Sequence, residues 1–378
     1  MFFESMTSEA DFETCLQSWG FNRDPFVEEY RNDIWARPEK DLKKLKYYLT
    51  NSKKQKNLLN ILLKGDYGSG KTYTLKFIKG YVEKELGGCG IYFLIPKKYG
   101  AHGFRDILNE FMKAVTVKRL EQIGKEISTE NNIKSFEEFK QFLESLPLDP
   151  DFAHAISNLV YNQQYAETSA WLYGKTTAFQ DKIIKMDFST KDESTIITVI
   201  SNVIFLLSIK NPIVALLIDE IENLSGESVS TRSVREGFRN LYDELLDTKN
   251  KNSVVIISAV TARAVYEIQS SMGTALLDRI SYDIPLNPLN EYECKEYLKI
   301  LFKNSRDSKD PSPIPPFVDD PAVDHFIKIF PNSKVVPAIS FGEIRTPRRM
   351  MKVGSFLLNE ACFNDQAITS EFIDQTLK

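Results

Sequence analysis

The segment from Gly65 to Thr72 has the residue types and the spacing of a phosphate-binding loop. It reads Gly-Asp-Tyr-Gly-Ser-Gly-Lys-Thr and matches G-x-x-x-x-G-K-[ST] at every fixed position. Glycines allow backbone N–H groups to curl around phosphate oxygens, because no Cβ stands in the way. In such a loop Lys71 reaches the β- and γ-phosphates, and the hydroxyl of Thr72 binds Mg²⁺. The motif therefore predicts ATP and Mg²⁺ as cofactors. The residues expected to contact the nucleotide are Gly65, Asp66, Tyr67, Gly68, Ser69, Gly70, Lys71, Thr72 and Tyr73.

The segments on either side of this loop are the ones that the motif requires. Residues 58 to 64 form a short apolar run that stops at Gly65, which is typical of a buried parallel strand. Residues 70 to 85 have helical periodicity, with Leu75 and Ile78 on one face. The N-terminal N–H groups and the positive dipole end of that helix would point at the same phosphates.

A pair of acids completes the predicted site. The apolar strand at 213 to 218 ends in Asp219 and Glu220. In P-loop enzymes a carboxylate at this point completes the Mg²⁺ shell, and we assign that role to Asp219. Glu220 is placed to polarise the attacking water as a general base. The alternative is a strand that simply meets solvent at these two acids.

The remaining pattern predicts an α/β fold. Further strands are expected at 90 to 95, 253 to 259 and 282 to 285, and they alternate with helices. Such alternation indicates a mostly parallel sheet covered on both faces. Residues 103 to 209 have helical patterns with few strand signals, which indicates a long helical insertion. After Pro288 the pattern is helical again.

The composition limits the classes of function. The net charge is −4, so nucleic acid would have to be bound by a local patch, through a partner or by an assembled oligomer rather than by bulk charge. Two candidate patches are the stretch Lys43 to Lys56, with Tyr47 and Tyr48 among its lysines, and the pair Lys97 and Lys98. The alternative for the first patch is a solvated helix face. Its lysines are Lys43, Lys44, Lys46, Lys53, Lys54 and Lys56.

Cysteine spacing and hydropathy indicate a cytoplasmic protein. The cysteines are widely spaced, without a C-x-x-C pair, so we expect reduced thiols. The N-terminus lacks the basic region of a signal peptide. The apolar stretch from Ile196 to Ile218 is interrupted by polar residues and Pro212, so it predicts a buried helix and strand rather than a membrane span. The cysteines are Cys15, Cys89, Cys294 and Cys362.

The phosphate loop, the strand ending in two acids, the polar residue after the next strand and the helical C-terminal region together resemble the AAA+ ATPases. The resemblance covers roughly 20 to 100 and 195 to 378, and is closest to the group of replication initiators, helicase loaders and transposon regulators. It implies a P-loop parallel sheet with a helical lid domain, ATP hydrolysis, and assembly into a homo-oligomer. The predicted domains are a leader at 1–33, a nucleotide-binding domain at 34–288 with its insertion at about 103–209, and a lid at 289–378.

The N-terminal segment is similar to a box found in that group. Gly20-Phe21-x-x-x-Pro25-Phe26 is followed by Trp35-Ala36-Arg37-Pro38-Glu39. In the family this segment lies against the adenine, which makes Ile34, Trp35 and Arg37 candidate base contacts. The alternative is a hydrophobic staple onto the core.

Two further positions of the nucleotide-binding domain follow from the resemblance. The polar residue after the strand at 253 to 259 is Thr261, which would contact the γ-phosphate or the attacking water, with Ser258 behind it. The family usually has Asn at this point. Arg279 would be the arginine finger that reaches a neighbouring subunit's γ-phosphate. The alternative for Arg279 is a surface pair with Asp278 or Asp283.

The helix start around Pro347 resembles the second sensor, in which a lid arginine contacts ATP. Arg348 is the first choice for this contact, followed by Arg345 and Arg349. Pro347 suits the first turn of a helix. The alternative is a set of solvated arginines at a helix start.

The resulting hypothesis is an ATPase whose hydrolysis drives an oligomeric switch on nucleic acid, in replication, transposition, repair or phage defence. Replication initiators carry a further winged-helix domain, which has no counterpart before Lys378, so origin binding through such a domain is not expected. The alternative hypothesis is a nucleotide-dependent signalling switch with slow turnover. It would recruit a protein partner through the insertion at 103 to 209.

Overall fold

The fold is described from a computed structural model of the chain. By its internal contacts the chain divides into two compact units, each described by itself below. Unit 1 comprises Met1–Lys43, Asp66–Gly70 and Leu286–Lys378, and unit 2 comprises Lys44–Gly65 and Lys71–Pro285. The structure describes residues 9–27, 39–97, 103–161, 164–175, 193–225, 228–247, 252–266, 279–306, 316–335 and 345–378.

Unit 2 is built on a parallel five-stranded sheet with the strand order β2-β3-β4-β1-β5. Each predicted strand is present, with ends that agree to about one residue, a usual uncertainty for strand ends. The predicted parallel P-loop sheet is therefore confirmed. The strands are β1 Leu58–Lys64, β2 Cys89–Leu94, β3 Ile213–Asp219, β4 Ser253–Val260 and β5 Tyr282–Pro285.

Within unit 2, helices pack against the sheet, and the elements described in the predicted insertion are all helices. In chain order the helices are α1 Glu9–Ser18, α2 Glu39–Gln55, α3 Lys71–Lys84, α4 Gly103–Val115, α5 Val117–Glu130, α6 Phe136–Glu144, α7 Pro150–Val160, α8 Tyr165–Leu172, α9 Glu193–Lys210, α10 Val229–Asp247, α11 Glu291–Asn304, α12 Asp320–Ile329, α13 Pro347–Phe363 and α14 Ser370–Leu377.

Strands β3 and β4 are central in the sheet, and their sequences reflect that position. All residues of both strands are buried. Strands that are covered on both faces read as continuous apolar runs instead of alternating patterns, which is why the sequences IVALLID and SVVIISAV contain so few polar residues. The one acid in these strands, Asp219, lies at the carboxyl end of β3, where the site is built.

Helix α9 is apolar on nearly all sides because it lies within the core of unit 2. Its buried residues run from Ile196 to Ser208 and belong to one hydrophobic cluster with β3 and the insertion helices. By length and apolar composition it could also cross a bilayer, the single such helix among the described residues, yet 67% of it is buried inside the protein. The sequence prediction of a buried helix that leads into a buried strand agrees with this placement.

Unit 1 has a separate core made largely of aromatic rings. The rings of Phe21 and Phe26 both lie against Phe302 of α11, with centroids 5.6 and 5.8 Å away. Phe26 also fills the space beside Gly354 of α13, where an added Cβ would lie 2.4 Å from its ring. Asp24 fixes this N-terminal segment, because its carboxylate accepts hydrogen bonds from the Phe26 N–H and the Ser355 hydroxyl. The segment that was predicted to contact adenine therefore packs, in its described part, within the core of unit 1.

The expectation of four reduced thiols is wrong for two of them. Cys15 and Cys362 form a disulfide, with their Cα atoms 5.8 Å apart. The pairing follows from the packing of α1 against α13, which brings together residues separated by 347 positions. Spacing along the sequence cannot show such a contact, whereas the Cα separation is ordinary for a disulfide.

The two remaining cysteines are buried free thiols, and they should be inert in the folded protein. Burial raises the pKa of Cys89 to about 11 and that of Cys294 to about 12. Because the thiolate is the nucleophile, we expect alkylation by iodoacetamide at pH 8 to be about 100-fold or more slower in the native protein than in the unfolded chain. Mass spectrometry of tryptic peptides measures this ratio, with protein in guanidinium as the control. Rapid native labelling of Cys89 would contradict the packing of β2.

Candidate functional site

The start of the phosphate loop is tied to the end of β4. The Gly65 N–H donates to the Val260 carbonyl at 3.2 Å, which continues the pairing of β1 with β4 by one residue. The Lys71 ammonium donates to the Gly65 carbonyl at 2.9 Å. The chain thus reverses from strand to helix within six residues, and the lysine at the first position of α3 lies back over that turn.

Two glycines make this reversal possible. Gly68 and Gly70 have φ angles of +80° and +93°, a region that residues with a Cβ rarely adopt. A Cβ at Gly70 would meet no atom of the described residues within 4 Å, so the constraint there is conformational. Gly70 is one of the two glycines that the pattern fixes, and its conformation explains why glycine is required there, whereas Gly68 stands at a variable position of the pattern.

The central contact of the site joins the first turn of α3 to the end of β3. The Thr72 hydroxyl donates to Asp219 Oδ2 at 2.6 Å. The Tyr92 hydroxyl of β2 donates to the same oxygen at 3.0 Å, and the Glu220 backbone N–H donates to Oδ1 at 2.9 Å. Asp219 is only 2% exposed, and a buried carboxylate is tolerated when donors surround it in this way.

Thr72 and Asp219 together fit a magnesium ion that is shared with nucleotide phosphates. A hydroxyl oxygen and a carboxylate oxygen are the hard ligands that Mg²⁺ prefers, and the ion usually takes one or two carboxylates along with phosphate oxygens. The two oxygens are adjacent although the residues are 147 positions apart, and their role as metal ligands stays a prediction. Tyr92 was not anticipated, although its position on the neighbouring strand β2 is a signal that could have shown it.

Glu220 has an unusual backbone and a side-chain partner. Its φ and ψ are 56° and 40°, the left-handed region, which is uncommon for a residue other than glycine and is typical of functional sites. Asn223 donates to Glu220 Oε2 at 3.2 Å and to the Ile95 carbonyl at 2.8 Å. Asn223 therefore links the predicted water-activating acid to the end of β2. It was not singled out in the sequence, where it stands three residues after Glu220.

A third carboxyl group lies close to these acids. Burial raises the pKa of Glu222, Lys71 opposes the rise, and the charges of Asp219 and Glu220 add to it. Its Oε2 is buried without a hydrogen-bond partner among the described residues. The site therefore carries three acids facing one lysine, and the neutral form of Glu222 is favoured at pH values where an exposed glutamate would be ionised.

Thr261 follows directly after Val260, the residue whose carbonyl is bonded to Gly65. Its hydroxyl accepts the Ala264 N–H at 3.3 Å, which is the position of a helix cap. Ser258, the second choice for the sensor, is 7% exposed within β4. The structure thus brings Thr261 to the strand end beside the loop, and its contact with phosphate or water stays a prediction.

Arg279 forms an intramolecular ion pair that the sequence did not indicate. Its Nε donates to Asp243 Oδ1 and its second terminal nitrogen to Oδ2, each at 2.8 Å. Of the partners considered from the sequence, Asp283 instead pairs with Lys64, and Asp278 lies outside the described residues. This contact does not test whether Arg279 reaches a neighbouring subunit, so that role stays a prediction.

Among the three candidate arginines near the start of α13, Arg348 is the one beside the phosphate loop within unit 1. The guanidinium carbon of Arg348 lies 4.9 Å from the centroid of the Tyr67 ring. The backbone N–H of Arg348 donates to the Gly68 carbonyl at 3.4 Å. Arg349 donates instead to the carbonyls of Phe330 and Ser333, and Arg345 pairs with Glu291. The geometry therefore favours Arg348 for the predicted contact with the nucleotide.

Several predicted contact residues lie outside the described residues. Lys97, which follows β2, is exposed, and its neighbour Lys98 lies outside the described residues. Tyr73 lies in the first turn of α3 and is partly buried. The predicted residues outside the described ranges are Ile34, Trp35, Arg37 and Lys98.

Comparisons with known proteins agree with this fold. Two structures of the Aeropyrum pernix ORC2 protein, described as ADPNP-ADP complexes and as an ADP form, match with TM-scores of 0.52 and 0.50. Their identities are 11% and 12%, and the matches cover 94% and 93% of this chain and 70% and 71% of theirs. At such identity the likeness shows the fold alone. The search of curated proteins found no match.

A family model described as the KAP family P-loop domain matches residues 40–314, and the chain therefore belongs to that family.

Proposed function

We propose that this chain binds Mg-ATP and hydrolyses it to drive an oligomeric switch on nucleic acid. The observation that carries the proposal is the 2.6 Å hydrogen bond from Thr72 to Asp219, which joins the phosphate loop to the acids at the end of β3. Membership of a P-loop family supports a nucleotide-dependent activity. Magnesium, hydrolysis and the nucleic-acid target are the parts that the experiments below test.

The proposed mechanism assigns a task to each group. Lys71 and the loop N–H groups hold the phosphates, and Arg348, beside Tyr67 and Gly68, adds positive charge to them. Glu220 takes a proton from the attacking water, while Asn223 orients its carboxylate. When bound, Mg²⁺ would supply positive charge beside the transferring phosphoryl group. Thr72 and Asp219 are the residues that would hold it.

Substitution of the acid and of the lysine should separate hydrolysis from binding. Glu220→Gln should keep ATP affinity and lower phosphate release by about 100-fold or more, because an amide cannot accept the proton. Lys71→Ala should weaken ATP binding by about tenfold or more, because a charged hydrogen-bond donor is lost. Equilibrium binding of a fluorescent ATP analogue and steady-state phosphate release measure the two effects.

Glu244→Gln is a matched control for the loss of one acid, since Glu244 is exposed on α10, away from the acids of β3. If Glu220→Gln released phosphate at the normal rate, the role given to Glu220 would be wrong. If binding were indifferent to Mg²⁺, the role given to Asp219 would be wrong.

The part of α2 in unit 2 is the better described of the two candidate nucleic-acid patches. Tyr48 stacks on Tyr282 of β5 with centroids 3.8 Å apart, and Tyr47, 62% exposed, lies edge-on to Tyr48. Lys44 lies 5.9 Å from the Tyr48 ring centroid. Lysines beside exposed rings suit a nucleic-acid strand, because ammonium groups contact phosphates and rings stack on bases. The exposed lysines of this patch in unit 2 are Lys44, Lys54 and Lys56.

Replacing these three lysines by alanine should weaken binding of single-stranded and duplex DNA by about tenfold or more at low salt. The slope of log affinity against log salt should fall by about 2 to 3 for duplex DNA, since each lost phosphate contact removes about 0.9. Fluorescence anisotropy over a salt series measures both. The matched control replaces three exposed lysines of the insertion. An unchanged salt slope would remove this patch from the proposal. The control lysines are Lys113, Lys118 and Lys134.

The signalling switch is the second candidate, and one specific contact favours slow turnover. Arg279 is paired with Asp243 of the same chain. In that case turnover would be slow and indifferent to DNA, and the helices of the insertion would bind a protein partner. We place either activity in the cytoplasm, where ATP is available. ATPase rates with and without DNA, combined with light scattering, distinguish the two candidates.

A further inference from the structure

The guanidinium of Arg279 lies in a two-pronged ion pair on the surface of unit 2. Both hydrogen bonds to the Asp243 carboxylate are 2.8 Å long, and the Tyr242 ring centroid is 5.9 Å from the guanidinium carbon. The side chains of Arg279 and Asp243 are 22% and 41% exposed. Solvent therefore reaches the pair, and a partly exposed ion pair is readily exchanged for another anion.

The carboxylate occupies the place that a phosphate would take on the same guanidinium. Arginine binds carboxylates and phosphates through the same pair of parallel N–H groups, so one ligand excludes the other. An arginine held on Asp243 cannot at the same time bind a phosphate with both prongs. Arg279 is thus available to phosphate only after it has left Asp243.

A second arginine makes such an exchange favourable. Arg239, one turn before Asp243 on α10, has its Nε 3.9 Å from Asp243 Oδ2 and is 54% exposed. When Arg279 leaves, Arg239 can move onto the carboxylate, which avoids leaving an unpaired acid. The arrangement of two cations around one acid therefore allows Arg279 to be held and to be released.

We propose that Asp243 is a positioning residue that withdraws Arg279 from nucleotide, and that a second copy of the chain must displace it with the phosphates of its bound ATP. This inference rests on the proposed function, in which Arg279 acts on a neighbouring subunit. The ion pair between Arg279 and Asp243 then inhibits assembly-dependent hydrolysis, and we call this inhibition the brake. The brake belongs to the free chain and is lifted when ATP-bound copies associate.

The test measures ATPase rate against protein concentration for Asp243→Asn, Arg279→Ala and the double variant. Loss of the brake should lower the concentration that gives half-maximal rate by about twofold to fivefold for Asp243→Asn, the range expected for a partly exposed ion pair. Arg279→Ala should lose the concentration-dependent rate. The double variant should behave like Arg279→Ala, because the gain requires the released arginine.

Glu244→Gln removes an equal charge from the next residue of α10 and should leave the curve unchanged. Sedimentation with a non-hydrolysable ATP analogue gives a second readout, in which Asp243→Asn alone should assemble at a lower concentration. Thermal melting checks the fold of each variant, and Asp243→Ser replaces the asparagine variant if that one is unstable. A merely structural Asp243 would lower the melting temperature without any gain that depends on Arg279.

The outcomes separate this inference from the function on which it rests. If Arg279→Ala retained the normal rate at all concentrations, the action on a neighbouring subunit would be wrong. If Arg279→Ala were impaired but Asp243→Asn showed no gain, or a loss, the brake alone would be overturned. An equal gain from Glu244→Gln would also overturn it, since the effect would then be one of general charge.

Discussion

The hydrogen bond between Thr72 and Asp219 is the constraint on which the site depends. It requires β1 and β3 to end at the same edge of the sheet, and the parallel register through β4 provides this. It also requires the chain to turn from β1 into α3 within a few residues, which Gly68 and Gly70 allow through their positive φ angles. A change of one residue in any of these registers would separate the hydroxyl from the carboxylate. The position of the first turn of α3 is therefore coupled to the register of the sheet.

Burial of Asp219 explains why so many donors converge on it. An ionised carboxylate that is 2% exposed would be strongly unfavourable without partners, and here a hydroxyl, a phenol and a backbone N–H surround it. These contacts also hold both oxygens in a single orientation. Glu222 shows the opposite case, since its buried oxygen lacks such a partner among the described residues and burial raises its pKa. Burial therefore raises the pKa of Glu222, whereas Asp219 has donors at both of its oxygens.

The sequence predicted those parts of the molecule in which local pattern determines structure. Apolar runs between turn residues identified the strands, and the fixed spacing of the loop singled out Lys71 and Thr72, because both signals lie within short segments. Contacts between distant segments that no motif specifies were missed or misassigned. The Cys15–Cys362 disulfide and the choice of Asp243 as the partner of Arg279 depend on how helices pack, which periodicity does not encode. The choice among the arginines of α13 likewise needed side-chain geometry, and the nucleotide contact assigned to Arg348 stays a prediction.

The charged groups assigned to phosphate chemistry have a common property, in that each has an intramolecular partner of moderate strength. Lys71 lies on the Gly65 carbonyl, Glu220 on Asn223, and Arg279 on Asp243. Unpaired charges in a partly buried site are unfavourable, so such partners stabilise the folded site in the absence of nucleotide. A nucleotide phosphate can take the place of the Gly65 carbonyl at Lys71 and of the half-exposed Asp243 at Arg279, because both groups are cations. Glu220 is an acid, so a water molecule rather than a phosphate would replace its amide partner. In the proposed function, nucleotide binding would therefore exchange one partner for another at Lys71 and Arg279.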